Sequence, residues 1–497
     1  MPIDNADFET CVRVLETLVE DRAQLARLTV EQRKLLLMAA GRLSQPDRAE
    51  KRLYSRASRK YQKFESRSAD EAKLARTGMR QQRLLPTFIT PEPEARAEAH
   101  AQQTSWDAPQ LNGRRVCYIC KTEIAALHFY YDQMCQRCGD FNYQKRTQTA
   151  DLTGRVAYIS GARLKIGYQA AIMLLRAGAR VLVSTRFPRD AALRYSREPD
   201  FATFRDRLQV YGLDLRHTPS VEAFTRHVLA SEQRLDFVLH NACQTVRRPS
   251  GFYAHLMAQE LLPAAELPEA ARTLLGDYEC MRAARGPGLL RAGDAGLVAA
   301  PELSQMALLP EDLEAGPTLF PTGSLDADLQ QVDLRAINSW RLPLHQVSTV
   351  ELLEVQLVNA IAPFVLNARL KPLLLRTADR DKHIVNVSAM EGQFYRRFKT
   401  DKHPHTNMAK AALNMMTRTC AVDYVRDGIH MNSVDTGWVT DEDPIEIAQR
   451  KTAQHGFQPP LDIVDGAARI VDPIFAGINS GEHVWGQFLK DYRPTVW

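Results

Sequence analysis

The 497-residue sequence has no run approaching the ~18 consecutive apolar residues that a membrane-crossing helix needs, so no such helix is expected. Its first residues, MPIDNADFET, are acidic and lack a basic segment followed by an apolar one. No secretory signal is read there, and a cytoplasmic setting is expected. An excess of one charge is lacking too: 64 Lys and Arg against 59 Asp and Glu leave a formal +5, too mild to argue for nucleic acid. What is present, 45% hydrophobic and 25% charged residues, is ordinary for a globular chain, and the length predicts two or three domains. The basic residues are uneven, being dense from Arg48 to Arg83. A solvated helical face explains that stretch better than a phosphate-tracking surface.

Along the chain, residues 1–85 read as a helical N-terminal region. FETCVRVLETLVEDRAQLARL carries apolar residues at three- and four-residue spacing, and Thr29 is placed to cap a second helix. Residues 86–110 are rich in proline and small or polar residues and read as a linker. From Arg155 the pattern becomes short β-branched strands alternating with amphipathic helices, which predicts an α/β fold with a doubly wound parallel sheet over 151–497. An insertion, partly helical and without clean strands, interrupts that pattern at about 250–346. No internal repeat is found.

Eight cysteines are present, and four crowd into residues 117–138. Without an export signal, disulfides are not expected, so the cluster reads as metal ligands. CYIC and CQRC place Cys117, Cys120, Cys135 and Cys138 in two turns, each aiming two thiolates at one point, and two such turns complete a tetrahedron around zinc. A site closed by four thiolates has no open position, so this module, residues 111–145, is expected to hold a structural zinc. His128, between the turns, reads as a structural residue. Phe129, Tyr130 and Tyr131 have two readings, packing of the module or stacking on bases, of which packing is the stronger.

RVAYIS reads as a buried strand, GARLKIG as a turn, and YQAAIMLLRAGA as a helix. A glycine turn between strand and helix lets backbone amides face a pyrophosphate. With the later motifs, this stretch resembles the short-chain dehydrogenase/reductases and their Rossmann domain. Gly161 and Gly167 match that family's glycine turn, with Ile166 beside them, while Lys165 stands at its middle glycine. The resemblance places Asp214 and Leu215, in LQVYGLDL, at the adenine, and Asn241 and Ala242, in DFVLHNACQ, on the strand beside the cofactor. Cys243 is expected to be a buried small residue there. Arg186 ends the second strand where an acidic residue would hold a ribose 2′-hydroxyl, and Arg163 lies in the glycine turn. Both point to NADP(H) over NAD. Thr436 and Gly437, in MNSVDTGWVT, resemble the loop that contacts the nicotinamide.

The family's chemistry, as the resemblance implies it, uses Asn, Ser, Tyr and Lys, and Asn359, Ser388 and Lys410 stand at three of these positions. The fourth, one helical turn before Lys410, is Thr406 instead of tyrosine. An aliphatic hydroxyl titrates far above a phenol and is a poor acid. Three readings stay open: His405 or His403 supplies the proton, since imidazole titrates near neutrality; Tyr395 swings in; or the site binds cofactor without turnover.

The expected function is therefore an NADP-dependent oxidoreductase moving hydride to or from a carbonyl or alcohol, with substrate near Trp340 and Trp438 under the insertion. The alternative is an altered or inactive NADP-binding scaffold or sensor whose zinc module binds a protein or nucleic-acid partner. Nucleic acid is the weaker partner, no membrane partner is expected, and the oligomeric state stays open.

Overall fold

A computed structural model describes residues 4–92, 105–283, 299–313, 316, 318–395, 399–456 and 458–497. The chain divides into two units, residues 1–72 and 73–497. The first is helical: Asn5–Glu20, Val30–Ser44 and most of Arg48–Leu74. Its helix starts are fixed by reciprocal caps. Asp4 accepts from the Asp7 amide, and Thr29 accepts from the Gln32 amide while Gln32 Oε1 accepts from the Thr29 amide. Neither of the first two helices contains a buried residue.

The second unit is built on eight strands: β1 Val156–Ser160, β2 Arg180–Thr185, β3 Leu208–Gly212, β4 Phe237–His240, β5 Lys382–Ser388, β6 Ile429–Asp435, β7 Phe488–Lys490 and β8 Arg493–Thr495. Their order is β3-β2-β1-β4-β5-β6-β7-β8. All pairs are parallel except β7–β8. The strands from β1 to β6 read as near-continuous buried runs because helices cover both sheet faces. The chain builds outward from β1 through β2 to β3, then returns to lay β4 on β1's other side. That reversal opens a crevice at the carboxyl ends of β1 and β4, where doubly wound sheets hold ligands.

The expected insertion lies on the crossover from β4 to β5. Its described residues form only short helices, the longest being Ser250–Glu260, before the chain re-enters the sheet layer through a helix over Thr349–Leu374. That helix is long and apolar enough to cross a membrane by length and composition, and in this fold one face of it packs into the core. Leu366, Leu370, Leu373 and Leu374 are buried, and Arg369 pairs with Glu222 on the Thr218–Ser231 helix.

The cysteine region, expected over 111–145 from the sequence, lies in the same compact unit as the sheet. Its helix Gln136–Arg146 and the Tyr130–Tyr131 turn dock on the Ile463–Ser480 helix. Arg146 reaches Asp462 at 2.5 Å, Tyr130 Oη donates to Asp462 at 2.8 Å and Tyr131 Oη to Asp465 at 2.5 Å. Met134, Tyr131 and Cys117 share an apolar cluster with Leu461, Ile463 and Val464. Phe129 and Tyr131 are thus buried and offer no face for stacking bases. Removing Arg146 alone would strand two carboxylates in this interface, at a cost of about 3–5 kcal/mol. The expected linker at 86–110 also begins within this unit, where the Phe88 amide donates to Ala327 O and Thr90 Oγ1 to Glu198.

Candidate active site

The glycine turn is set by two positions that exclude a side chain. Gly161 has φ +71°, and a Cβ there would lie 2.7 Å from the Ala242 Cα. A Cβ on Gly167 would lie 2.3 Å from Asn241 Nδ2 and 2.5 Å from Gly161 O. This close approach lets Asn241 Nδ2 donate to Gly161 O at 2.9 Å, locking the β1 turn to the β4 turn. Lys165, at φ +56°, adopts the left-handed backbone that favours glycine, which accounts for the family's residue at that position. The helix Lys165–Arg176 begins here with no side chain on its first amides, so they face the crevice.

The crevice, of about 360 Å³, is lined by Gly161, Arg163, Lys165, Ile166, Arg186, Asp214, Leu215, Asn241 and Ala242 among others. The structure thus brings the sequence-predicted cofactor residues of the β1, β2, β3 and β4 ends to one cleft. The two arginines differ. Arg163 is buried and held by Asp190 at 2.7 Å. Arg186 stacks over Tyr253, bonds its hydroxyl at 2.6 Å, and has no carboxylate partner among the described residues. Asp214 is held by Arg216 at 2.6 Å. Burial pushes its carboxyl up, but the hydrogen bonds and charge of Arg216 prevail and leave it below the ordinary range. Arg216 and Arg247 both reach Glu354, tying the cleft floor to the start of the Thr349–Leu374 helix.

A second cavity, of about 710 Å³, continues from the first past Ile166, Asn241, Cys243 and Thr245. Ser388, Thr406, Lys410, Thr436 and Gly437 line it, as do Trp340 and Trp438. Ser388 ends β5, and Thr406 and Lys410 share a face of the helix Pro404–Arg426. Ser388 Oγ and Thr406 Oγ1 are buried and bond nothing among the described residues. Lys410 Nζ donates to Val387 O at 2.7 Å, which fixes its ammonium beside Ser388. Both hydroxyls are free to hydrogen-bond a polar atom that enters the cavity.

Three expectations change here. His405 does not reach the cavity: its ring is buried, with Nε2 3.4 Å from Glu351, because the helix turns it toward the Thr349–Gln356 segment. His403 lines the cavity instead. It sits at φ +42° just before the helix, and its ring stacks on Trp340 at 3.8 Å with 5° between planes. Burial pushes its imidazole below the ordinary value, with Glu391 and Asn407 opposing. Tyr395 is 94% exposed and is not part of either cavity wall. Cys243 is exposed rather than buried, because it leaves β4 into the mouth shared by the two cavities.

Asn359 is buried on a stretch of π-helix, Leu357–Ile361. Its Oδ1 accepts from the Gln244 amide at 2.8 Å and its Nδ2 donates to Gln244 O at 3.2 Å. It therefore holds the β4 loop rather than lining either cavity. Residues that sequence reasoning missed come from distant segments. Tyr118, between two of the clustered cysteines, enters the second cavity and accepts from the Trp438 amide at 3.1 Å. Lys490 and Asp435 pair there at 3.3 Å. No local pattern announces Tyr118, because only docking of the cysteine region brings it to the cleft.

The sulfur atoms of Cys117, Cys120, Cys135 and Cys138 all lie within 4.8 Å of one another, with Cys120 and Cys135 at 3.6 Å. Four thiolates about 2.3 Å from a zinc ion sit at about 3.8 Å from one another, so this set fits a tetrahedral ion. His128 is buried beside them, with its ring packed against Gly139, and Nδ1 accepts from the Tyr130 and Tyr131 amides, which is a structural role.

A family model described as enoyl-(acyl carrier protein) reductase matches residues 333–458. The uncharacterized protein R665 of Acanthamoeba polyphaga mimivirus is 30% identical over 387 residues, covering 76% of this chain and 74% of that protein. Retinol dehydrogenase 11 of Mus musculus is 33% identical over 119 residues, 23% of this chain and 37% of that protein. Dehydrogenase/reductase SDR family member 13 of Bos taurus is 38% identical over 112 residues, 20% of this chain and 27% of that protein. The matched part is well under half the length of these two dehydrogenases.

Proposed function

Because this chain belongs to the short-chain dehydrogenase/reductase family, we propose that it is an NADP(H)-dependent oxidoreductase acting on a carbonyl or alcohol held between Ser388 and Thr406. The observation that carries this reading is the pair of buried, unpartnered hydroxyls, Ser388 Oγ and Thr406 Oγ1, on a cavity continuous with the glycine-turn cleft. The open cleft at the start of the helix Lys165–Arg176, lined by Gly161, fits a pyrophosphate, and Arg186 without a carboxylate fits a 2′-phosphate. When bound, the dinucleotide supplies or accepts the hydride.

The chain's own residues do the rest. Ser388 and Thr406 donate hydrogen bonds to the substrate oxygen, polarising a carbonyl or orienting an alcohol. Lys410, fixed by Val387 O, adds positive charge where that oxygen turns anionic. Thr406 relays a proton but does not supply one, because its hydroxyl stays protonated at neutral pH. His403, its basicity lowered by burial, is the imidazole open to the cavity; it takes the proton in the oxidation direction and, protonated from solvent, returns it to the alkoxide in reduction. Trp340 fixes its ring. In this reading the four thiols hold a structural zinc, which keeps Tyr118 against the substrate cavity.

The test is NADPH binding together with turnover on carbonyl and alcohol panels for the wild type, Ser388→Ala, Lys410→Ala and His403→Gln. Binding retained in Ser388→Ala with turnover down by about 10²-fold or more is expected. Tight NADPH binding without turnover on either panel would replace this reading by a cofactor-binding scaffold. Absence of NADPH binding would sink both.

A further inference from the structure

Three histidines from separate parts of the chain meet at the amino ends of β5 and β6, the end of the sheet remote from the cofactor cleft. His383 and His430 are register partners near the starts of β5 and β6, and His483 follows the helix Ile463–Ser480. One ring nitrogen from each lies within 4.8 Å of the other two, and His383 Nε2 is 3.0 Å from His483 Nδ1. His383 is five residues before Ser388 on one strand, about 16 Å away at about 3.3 Å per residue. The cluster is therefore separate from the candidate active site.

We propose that His383, His430 and His483 form a binding site for a divalent transition metal ion of the zinc class, which ties the last crossover to the sheet. Two nitrogens on a tetrahedral zinc, each about 2.0–2.1 Å from it, stand about 3.3 Å apart, close to the spacing already present between His383 and His483. His430 Nδ1 lies 3.1 Å from Lys382 O, and since a carbonyl only accepts, Nδ1 carries the hydrogen. That leaves Nε2 with its lone pair free, the outer-contact arrangement by which a backbone carbonyl fixes the tautomer of a metal-binding histidine. The rings of His430 and His483 stack at 4.7 Å between centroids, and those of His383 and His430 lie 5.3 Å apart.

The backbone makes room for the same point. A Cβ on Gly477, within the helix Ile463–Ser480, would lie 2.5 Å from His483 Nδ1 and 3.1 Å from His383 Nε2. Only glycine lets the helix pass this close while both nitrogens converge. The nearest carboxylate in sequence, Asp381, is engaged by Arg155 at 2.6 Å, so three imidazoles form the donor set. Imidazole donors suit zinc, copper and nickel better than magnesium or calcium, and a water would complete the shell. His483 is partly exposed and gives the ion its way in.

The test uses the full chain, stripped by a chelator and reloaded with stoichiometric Co²⁺, whose spectrum separates thiolate from imidazole ligands. Wild type is expected to take up a Co²⁺ whose spectrum lacks thiolate charge transfer, whether or not the four cysteines bind a second ion. His430→Gln and His483→Gln should each lose that ion and keep any thiolate-type signal, and Gly477→Ala should weaken it. Zn²⁺ should raise the Tm of Cys135→Ser but not of Cys135→Ser combined with His483→Gln. A wild type with only thiolate-type Co²⁺, or a folded His483→Gln that keeps the second signal, would overturn the proposal. If His430→Gln fails to fold, the partly exposed His483 position decides the matter.

Discussion

Replacing Arg186 by alanine is expected to weaken NADPH binding while leaving NADH binding nearly unchanged. Arg186 follows β2 at the mouth of the glycine-turn cleft, and its guanidinium meets the Tyr253 hydroxyl at 2.6 Å, the Tyr253 ring at 4.6 Å and the Phe187 ring at 5.6 Å. The arginines nearby each have a carboxylate contact, Arg163 with Asp190, Arg216 with Asp214, and Arg248 with Asp333, although Asp190 and Asp333 are each shared with a second arginine. The 2′-phosphate would then owe most of its recognition to Arg186. A hydrogen bond to a charged group contributes about 1.5–3 kcal/mol, so Arg186→Ala should raise the NADPH Kd by roughly 10- to 150-fold. NADH carries no 2′-phosphate and should lose under about 3-fold. Both constants can be read by titrating nucleotide fluorescence at one salt concentration, with circular dichroism confirming the fold. Equal losses for the two nucleotides would refute the reasoning, since they would assign Arg186 a structural role with Tyr253. No loss for either would move the 2′-phosphate, or the cofactor, elsewhere.

Three further outcomes are expected. Gly167→Ala should unseat Asn241 from Gly161 O and crowd the turn, costing about 1–3 kcal/mol of stability and weakening NADPH binding, read by melting and titration. A variant that binds NADPH as wild type does would remove the glycine turn from the cofactor site. Burial pushes the His240 imidazole down to about 4, with the contact to Asn367 only partly opposing. The folded value lies below the unfolded one of about 6.5, so the unfolded chain takes up the proton first. Its stabilising share is full above about pH 6.5, fades as pH falls toward 4, and amounts to about 3 kcal/mol. Urea melts across that window should show a shallower acid decline in His240→Asn, and parallel curves would contradict the burial argument. Finally, chelation or Cys135→Ser should release metal, loosen the region around Tyr118 and cost several kcal/mol of stability, with NADPH oxidation lost alongside. Metal loss without any change in Tm or turnover would separate the cysteine site from the fold.

Much of the site was legible because it rests on local chemistry. Gly161 and Gly167 are required where backbones touch, and a strand, turn and helix in immediate succession place them together. Lys410 lies one helical turn from Thr406, so their shared face follows from periodicity, while the meeting with Ser388 was legible only through the family resemblance. His405 was misplaced for a related reason. Proline at 404 starts the helix, and its first turn rotates His405 toward Glu351 while His403, still outside the helix, faces the cavity. A one-residue difference at a helix start changes the direction of a side chain by about 100°.

The amino-acid sequence determined the doubly wound sheet, its interruption after β4 and the two cysteine turns, since each is written in short-range periodicity or spacing, and the family resemblance marked the departure at Thr406. Tertiary structure alone decided that the cysteine region docks on the Ile463–Ser480 helix, that Tyr118 enters the substrate cavity, and that His383, His430 and His483 converge. These depend on segments far apart in the chain meeting face to face, as His383 and His483 or Tyr118 and Trp438 do. Such meetings are set by which apolar faces and buried charges must be covered together, and no window of neighbouring residues records that.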